Sequence, residues 1–147
     1  MTESSPPTLE PEESIAIVGV SRRRTKFGAI AYRALKDKGF TVFAIHPNLN
    51  DFDGDPCYRS LLDIKRPVDT VLVAAKPARI EDVVEQCCRI GARCLWFQQG
   101  GDYARLAQRA EDVGIQVVRD KCLLMYARNV GGIHAVHRYI WKLIGKF

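Results

Sequence analysis

The sequence has no apolar run approaching the roughly 18–20 residues that a membrane-spanning helix needs. Nor does it have a C-x-x-C pair. Its five cysteines (Cys57, Cys87, Cys88, Cys94 and Cys122) are an odd number, which argues against a disulfide framework and a structural zinc site and fits a reducing compartment. There is no RNP-like aromatic motif, zinc-finger spacing or basic heptad region. The cations behind the net charge of +5 are spread along the chain outside one cluster, so an anionic small molecule is expected rather than nucleic acid. No H-E-x-x-H is present, and no Ser/His/Asp set with supporting local context. The first residues carry Glu3, Glu10, Glu12 and Glu13, which is not the charge of a signal peptide. These absences lead us to expect a cytoplasmic, non-catalytic protein without membrane contact.

What is present is ordinary in bulk and specific in detail. With 147 residues, 47% hydrophobic and 27% charged, the chain suits one globular domain. Residues 1–13 are rich in Pro, Ser and Glu and read as a mobile tail. From Ser14 onward, strand-like and helix-like segments alternate. Strands are expected over residues 15–20, 41–45, 70–75, 93–97 and 115–118. The second is stopped by His46-Pro47 and the third by Lys76-Pro77. A helix follows the first strand, with Phe27, Ile30, Ala31, Ala34 and Leu35 on its core-facing stripe and Gly39 at its end. A second carries Ile80, Val83, Val84, Cys87 and Cys88 on one face and ends at Gly91. A third carries Tyr103, Leu106, Ala107 and Ala110 and ends near Gly114. A last helix is expected over residues 132–144.

The strands are apolar throughout rather than alternating, as strands buried on both faces are. Alternating β and α units with short loops give a doubly wound, mainly parallel five-stranded sheet in a three-layer α/β/α architecture. Ligands in such sheets sit outside the C-terminal strand ends, so residues 19–26, 46–48, 75–77 and 98–101 are expected to line one crevice.

The first of these loops is the most informative. Residues 15–28 read as a strand, a glycine turn and a helix start with four cations packed between them. Gly19 permits the turn, Ser21 offers a hydroxyl, and Arg22, Arg23, Arg24 and Lys26 supply charge at a helix N-terminus, which is itself an anion site. The bland alternative is a solvated basic loop. Compared with the G-x-G-x-x-G dinucleotide fingerprint, Ser21 replaces the second glycine and the loop is longer before Gly28. Where a carboxylate would bind a ribose diol, the chain has Ile45-His46-Pro47-Asn48. A ligand with an extra ribose phosphate suits that site, and NADP and coenzyme A (CoA) both carry one.

Five pieces in order make the chain resemble the small stand-alone CoA-binding proteins, which share the Rossmann-type domain of the succinate–CoA ligase alpha subunit. They are Ala16-Ile-Val-Gly-Val-Ser21, Val42-Phe-Ala-Ile-His-Pro-Asn48, Asp69-Thr-Val-Leu-Val73 with Lys76-Pro77, Leu95-Trp-Phe-Gln-Gln-Gly100, and Asp120-Lys-Cys122. The resemblance covers residues 14–126 and leaves 127–147 as a C-terminal helical extension. It implies binding of CoA or an acyl-CoA. The loop with Gly19, Val20, Ser21, the arginines, Lys26, Phe27 and Gly28 would take the pyrophosphate and ribose phosphate. His46, Pro47 and Asn48 would lie near the adenosine. Ala75, Lys76 and Pro77 would flank the adenine or pantetheine, and Gln98, Gln99 and Gly100 would face the pantetheine arm. Cys122 belongs to the family's Asp-x-Cys motif. The chain departs from the resemblance at its three consecutive arginines, where such proteins often carry Pro, Asp or Ser. The ligase's phosphohistidine belongs to a second domain, not expected in a chain of this length, so the resemblance implies binding without ligase chemistry.

Other residues have bland readings beside the sharp ones. Cys87, Cys88 and Cys94 read as small buried hydrophobes rather than redox groups. Cys122 reads as structural; the alternative, suggested by Arg119 and Lys121, is an activated thiol that pairs with the CoA thiol. His46 either meets phosphate or caps a strand end. His134 and His137 are three apart without a further ligand, so no metal is expected. The last helix packs on its own sheet or forms a homodimer contact. An NADP-binding oxidoreductase is the alternative function, and an interaction protein using the basic C-terminal helix is a third.

Overall fold

The apolar runs form the centre of a sheet covered on both faces. In the computed structural model of the protein, which describes residues 7–21, 26–76, 80–98 and 102–127, the five expected strands are β1 (Ser14–Val18), β2 (Thr41–Ile45), β5 (Thr70–Val73), β6 (Cys94–Phe97) and β7 (Gln116–Val118). Two further short strands, β3 (Asp51–Phe52) and β4 (Asp55–Tyr58), make the sheet seven-stranded, in the order β3-β4-β2-β1-β5-β6-β7. All neighbours are parallel except β3 and β4. The architecture is thus the Rossmann-like α/β class expected from the sequence, with two more strands than the five expected. The addition is a hairpin closed by Asp53-Gly54, whose φ values of 49° and 82° are the positive pair that a tight two-residue hairpin turn requires.

Successive strand residues point to opposite faces, and the core divides accordingly. Ile15 and Ile17 join Leu72 and Trp96 on one face, packed against Ala29, Ile30, Tyr32 and Leu35 of α1 (Phe27–Asp37). Ala16 and Val18 join Val71, Val73 and Leu95 on the other, packed against Val83, Val84 and Cys87 of α2 (Val83–Ile90) and Leu106, Ala107 and Ala110 of α3 (Ala104–Asp112). Each of β1, β2, β5 and β6 contributes to both layers, which is why these strands show no polar alternation.

Three expectations need correction. Strands expected to reach residues 20 and 75 end at Val18 and Val73, because the chain turns at Gly19 and Ala74. Cys88 does not share the buried face of Cys87. It is exposed, since consecutive helical residues are about 100° apart around the axis. The segment read as a mobile tail is fixed over its described part: Leu9 is buried, its N–H donates to the Tyr126 carbonyl at 2.8 Å, and it forms a parallel bridge with Ala127. The expected last helix, with His134 and His137, lies outside the described residues.

The hairpin is tied to α1. Tyr32 Oη donates to Asp55 Oδ2 at 2.6 Å, Arg33 binds Asp53 through two hydrogen bonds of 2.7 and 3.0 Å, and Lys36 pairs with Asp55. The Tyr32 and Phe52 rings meet edge to face, with centroids 4.9 Å apart.

Candidate functional site

The site begins at Gly19, where the chain leaves β1 with φ 110°. Its N–H donates to the Ile45 carbonyl at 3.2 Å. A Cβ placed there would lie 2.7 Å from the Ala74 carbonyl carbon, so the turn passes directly against the end of β5. Glycine is required on both counts. Gly28 answers from the other side: a Cβ on it would stand 2.4 Å from the Gly19 carbonyl oxygen, so the first turn of α1 rests on the Gly19 turn, backbone to backbone. The N-cap of α1 is Lys26, in extended conformation. Among the described residues, no side chain caps this end and no acidic residue stands in its first turn. The first N–H groups of α1 and the positive end of its dipole therefore lie beside the turn, a setting suited to an anion.

A cavity of about 690 Å³ opens here, within the size range of small-molecule sites. It lies over the point where the chain, having placed β2 on one side of β1, places β5 on the other. Gly19, Val20, Ser21, Lys26 and Phe27 line it from the first loop, His46, Pro47 and Asn48 from the end of β2, and Ala75 and Lys76 from the end of β5. Three of the four loops expected to share a crevice therefore do so. Lys26 and Lys76 are exposed on it. Arg22, Arg23, Arg24, Pro77, Gln99 and Gly100 lie outside the described residues.

Three predicted residues are not among those lining the cavity. Gly28 is buried in the contact beneath the turn. Gln98 lies at the end of β6, two strands from β1, and its side chain bonds the Cys122 thiol. Cys122 is buried, at 8% exposure, and burial raises its pKa. The backbone N–H groups of Leu124 and Met125 and the Gln98 side chain oppose that rise only in part. Burial thus works against the activated thiol that its charged neighbours in sequence suggested. Trp96 Nε1 donates to the Lys121 carbonyl at 2.8 Å, which fixes the segment against the core.

His46 acts as a strand-end cap: its N–H donates to the Tyr58 carbonyl at 2.9 Å, and its Nδ1 accepts from the Asn48 N–H at 3.0 Å. Tyr103, stacked on Phe97, donates its hydroxyl to the Ala75 carbonyl at 2.8 Å and so supports the loop after β5.

The sequence reading missed one wall of the cavity, formed by Arg59, Ser60, Asp82 and Gln86. Gln86 organises it. Its Oε1 accepts from Ser60 Oγ and from the Leu61 N–H, each at 3.2 Å, and its Nε2 donates to Asp82 Oδ2 at 2.7 Å. These residues come from the segment after β4 and from the start of α2. The Asp53-Gly54 turn signal announces a hairpin of β3 and β4, but the parallel pairing of β4 with β2, which brings Arg59 and Ser60 to the cavity, has no local signal in the sequence.

Comparison with known proteins gives a consistent result. The family described as "CoA binding domain" matches residues 13–128. An uncharacterised Bacillus subtilis protein, YneT, is 27% identical over 115 residues, covering 78% of this chain and 85% of that protein. Acetate–CoA ligase (ADP-forming) I of Archaeoglobus fulgidus is 30% identical over 121 residues, 76% of this chain but 18% of the ligase. Among solved structures, a hypothetical protein from Pyrococcus horikoshii is 28% identical with a TM-score of 0.72, covering 76% of this chain and 79% of that one.

Proposed function

The chain belongs to the CoA-binding domain family, and from that premise we propose that it binds coenzyme A, free or acylated, across the C-terminal ends of its parallel strands without transforming it. One observation carries this reading: the Gly19 turn and the uncapped start of α1 open together into a cavity with exposed cations on its walls. In this reading the ligand's pyrophosphate takes the helix N-terminus, where Lys26 adds formal charge. The adenosine extends toward His46, Pro47 and Asn48 at the end of β2, where no carboxylate precedes or follows Pro47 to repel a ribose phosphate. The non-catalytic part of the proposal rests on proportion. The matched stretch is 18% of the Archaeoglobus ligase, so we assign to it the holding of CoA and not the ligase's bond-making steps.

Thermal unfolding with CoA, dephospho-CoA, NADP and NAD tests the proposal. A ligand at a hundredfold excess over its Kd stabilises the native state by about 2.7 kcal/mol, enough to move Tm by several degrees. The expected result is a clear shift with CoA, a smaller one with dephospho-CoA and none with NAD. A shift with NADP alone would replace the CoA reading with an oxidoreductase one. No shift with any of the four would remove the nucleotide reading altogether.

A further inference from the structure

The cations of the cavity stand on two sides. Lys26 and Lys76 flank the Gly19 turn, on α1 and after the neighbouring β5. Arg59 stands beyond β2, at the end of β4. Tyr58 is the register partner of Ile45, and its carbonyl accepts from the His46 N–H, so Arg59 leaves β4 level with His46. At about 4.8 Å per strand, its backbone is displaced roughly 10 Å from the Gly19 turn along the sheet. That is the direction in which a nucleotide runs from pyrophosphate to ribose. In dinucleotide-binding folds the end of the second strand is where the ribose is read: a carboxylate takes a diol, and an arginine nearby takes a ribose phosphate. Here that strand end carries no carboxylate, and an arginine stands beside it.

We infer that Arg59 recognises the ribose 3′-phosphate and makes the site select CoA over dephospho-CoA, an inference that rests on the CoA reading of the cavity. Arg59 is exposed and lines the cavity. Its Nη2 donates to Asn50 Oδ1 at 3.5 Å, a long and therefore weak bond that a phosphate can outcompete. A planar guanidinium grips phosphate through two parallel bonds, which a lysine does not reproduce. Three carboxylates of the hairpin and the cavity have partners of their own: Asp53 with Arg33, Asp55 with Tyr32 and Lys36, and Asp82, on the same cavity, with Gln86. The bonds of Tyr32, Arg33 and Lys36 tie the hairpin to α1. One helix thus presents its N-terminus to the first loop and, through Tyr32 and Arg33, holds the strand from which Arg59 projects. The two anion-reading features keep a fixed separation.

Isothermal titration of CoA and dephospho-CoA into the full chain and its Arg59→Gln variant tests the inference, with apo Tm as the check on folding. The expected result is a preference for CoA in the parent of roughly tenfold or more, as a charge-assisted phosphate contact supplies. In Arg59→Gln the preference collapses toward unity through weaker CoA binding, with dephospho-CoA affinity and apo Tm unchanged. Arg59→Lys recovers only part of it. If the parent prefers CoA and Arg59→Gln keeps that preference, the phosphate is read elsewhere and the inference falls while the CoA reading stands. Equal binding of both ligands by the parent means that the phosphate is not read at all, and the inference falls while the CoA reading stands. Binding of neither overturns the CoA reading and this inference with it.

Discussion

At Gly28 a hydrogen occupies the space in which a methyl group would meet the Gly19 carbonyl oxygen at 2.4 Å. Two effects compete in Gly28→Ala. Alanine gains up to about 1 kcal/mol in helix propensity. Against this, the added carbon must push one backbone segment off another, and overpacking of a close contact costs about 1–3 kcal/mol. The obstacle is main chain rather than a flexible side-chain tip, so the steric cost wins. Urea unfolding should show a net loss of about 1–2 kcal/mol, with CoA affinity falling as α1 lifts from the turn; an unchanged midpoint would mean that the loop relaxes freely. The spacing of Gly28 from Gly19 placed it on the strand-to-helix junction, but the sequence suggested a ligand contact, whereas the structure buries it against the Gly19 backbone beneath the turn. The environment of Cys122 was not legible. The residues before it, Arg119 to Lys121, suggest a polar loop, whereas it is buried in the same cluster as Trp96, which is distant in sequence, and as Leu123 and Leu124, which follow it.

Among the elements, the β3–β4 hairpin depends most on a single side chain. Tyr32 is buried, and its hydroxyl reaches Asp55 from the middle of α1. Tyr32→Phe removes that bond while leaving the ring contact with Phe52, and Lys36 remains to pair with the carboxylate. The expected cost is about 1–2 kcal/mol by denaturant unfolding, the worth of a hydrogen bond to a charged acceptor. A parent-like midpoint would show that the hairpin is held by Arg33 and Lys36 alone. The five expected strands were readable because they lie in largely apolar runs between turn signals. The hairpin strands, Asp51-Phe52 and Asp55-Pro-Cys-Tyr58, are broken by aspartates and a proline rather than being apolar runs, and only Asp53-Gly54 announced them. That gap in the reading also hid Arg59: the sequence placed three loops of the cavity correctly, but a wall that depends on which strand lies beside β2 is a matter of topology.

For the molecule as a whole, the buried titratable groups fix how stability responds to alkali. Burial raises the Cys87 and Cys94 thiols from 9.0 to about 12 and the Tyr32 phenol from 10.0 to about 12. In the unfolded chain these groups release their protons near the ordinary values, while the folded protein retains them. The native state therefore binds more protons above pH 9, and stability falls as pH rises from about 9 toward 12, with the full contribution present below 9. Urea midpoints should be level from pH 7.5 to 9 and decline beyond, and the decline should be shallower in a Cys87→Ala, Cys94→Ala variant. A midpoint independent of pH through 11 would contradict the assignment. Leu9 pairs with Ala127, so the stretch that the family matches, residues 13–128, enters and leaves the fold at one place. The unit has in effect a single doorway. A host polypeptide can carry it as a side room, spliced between unrelated segments or rewired at another loop, without any stretch of connecting chain having to cross the body of the fold.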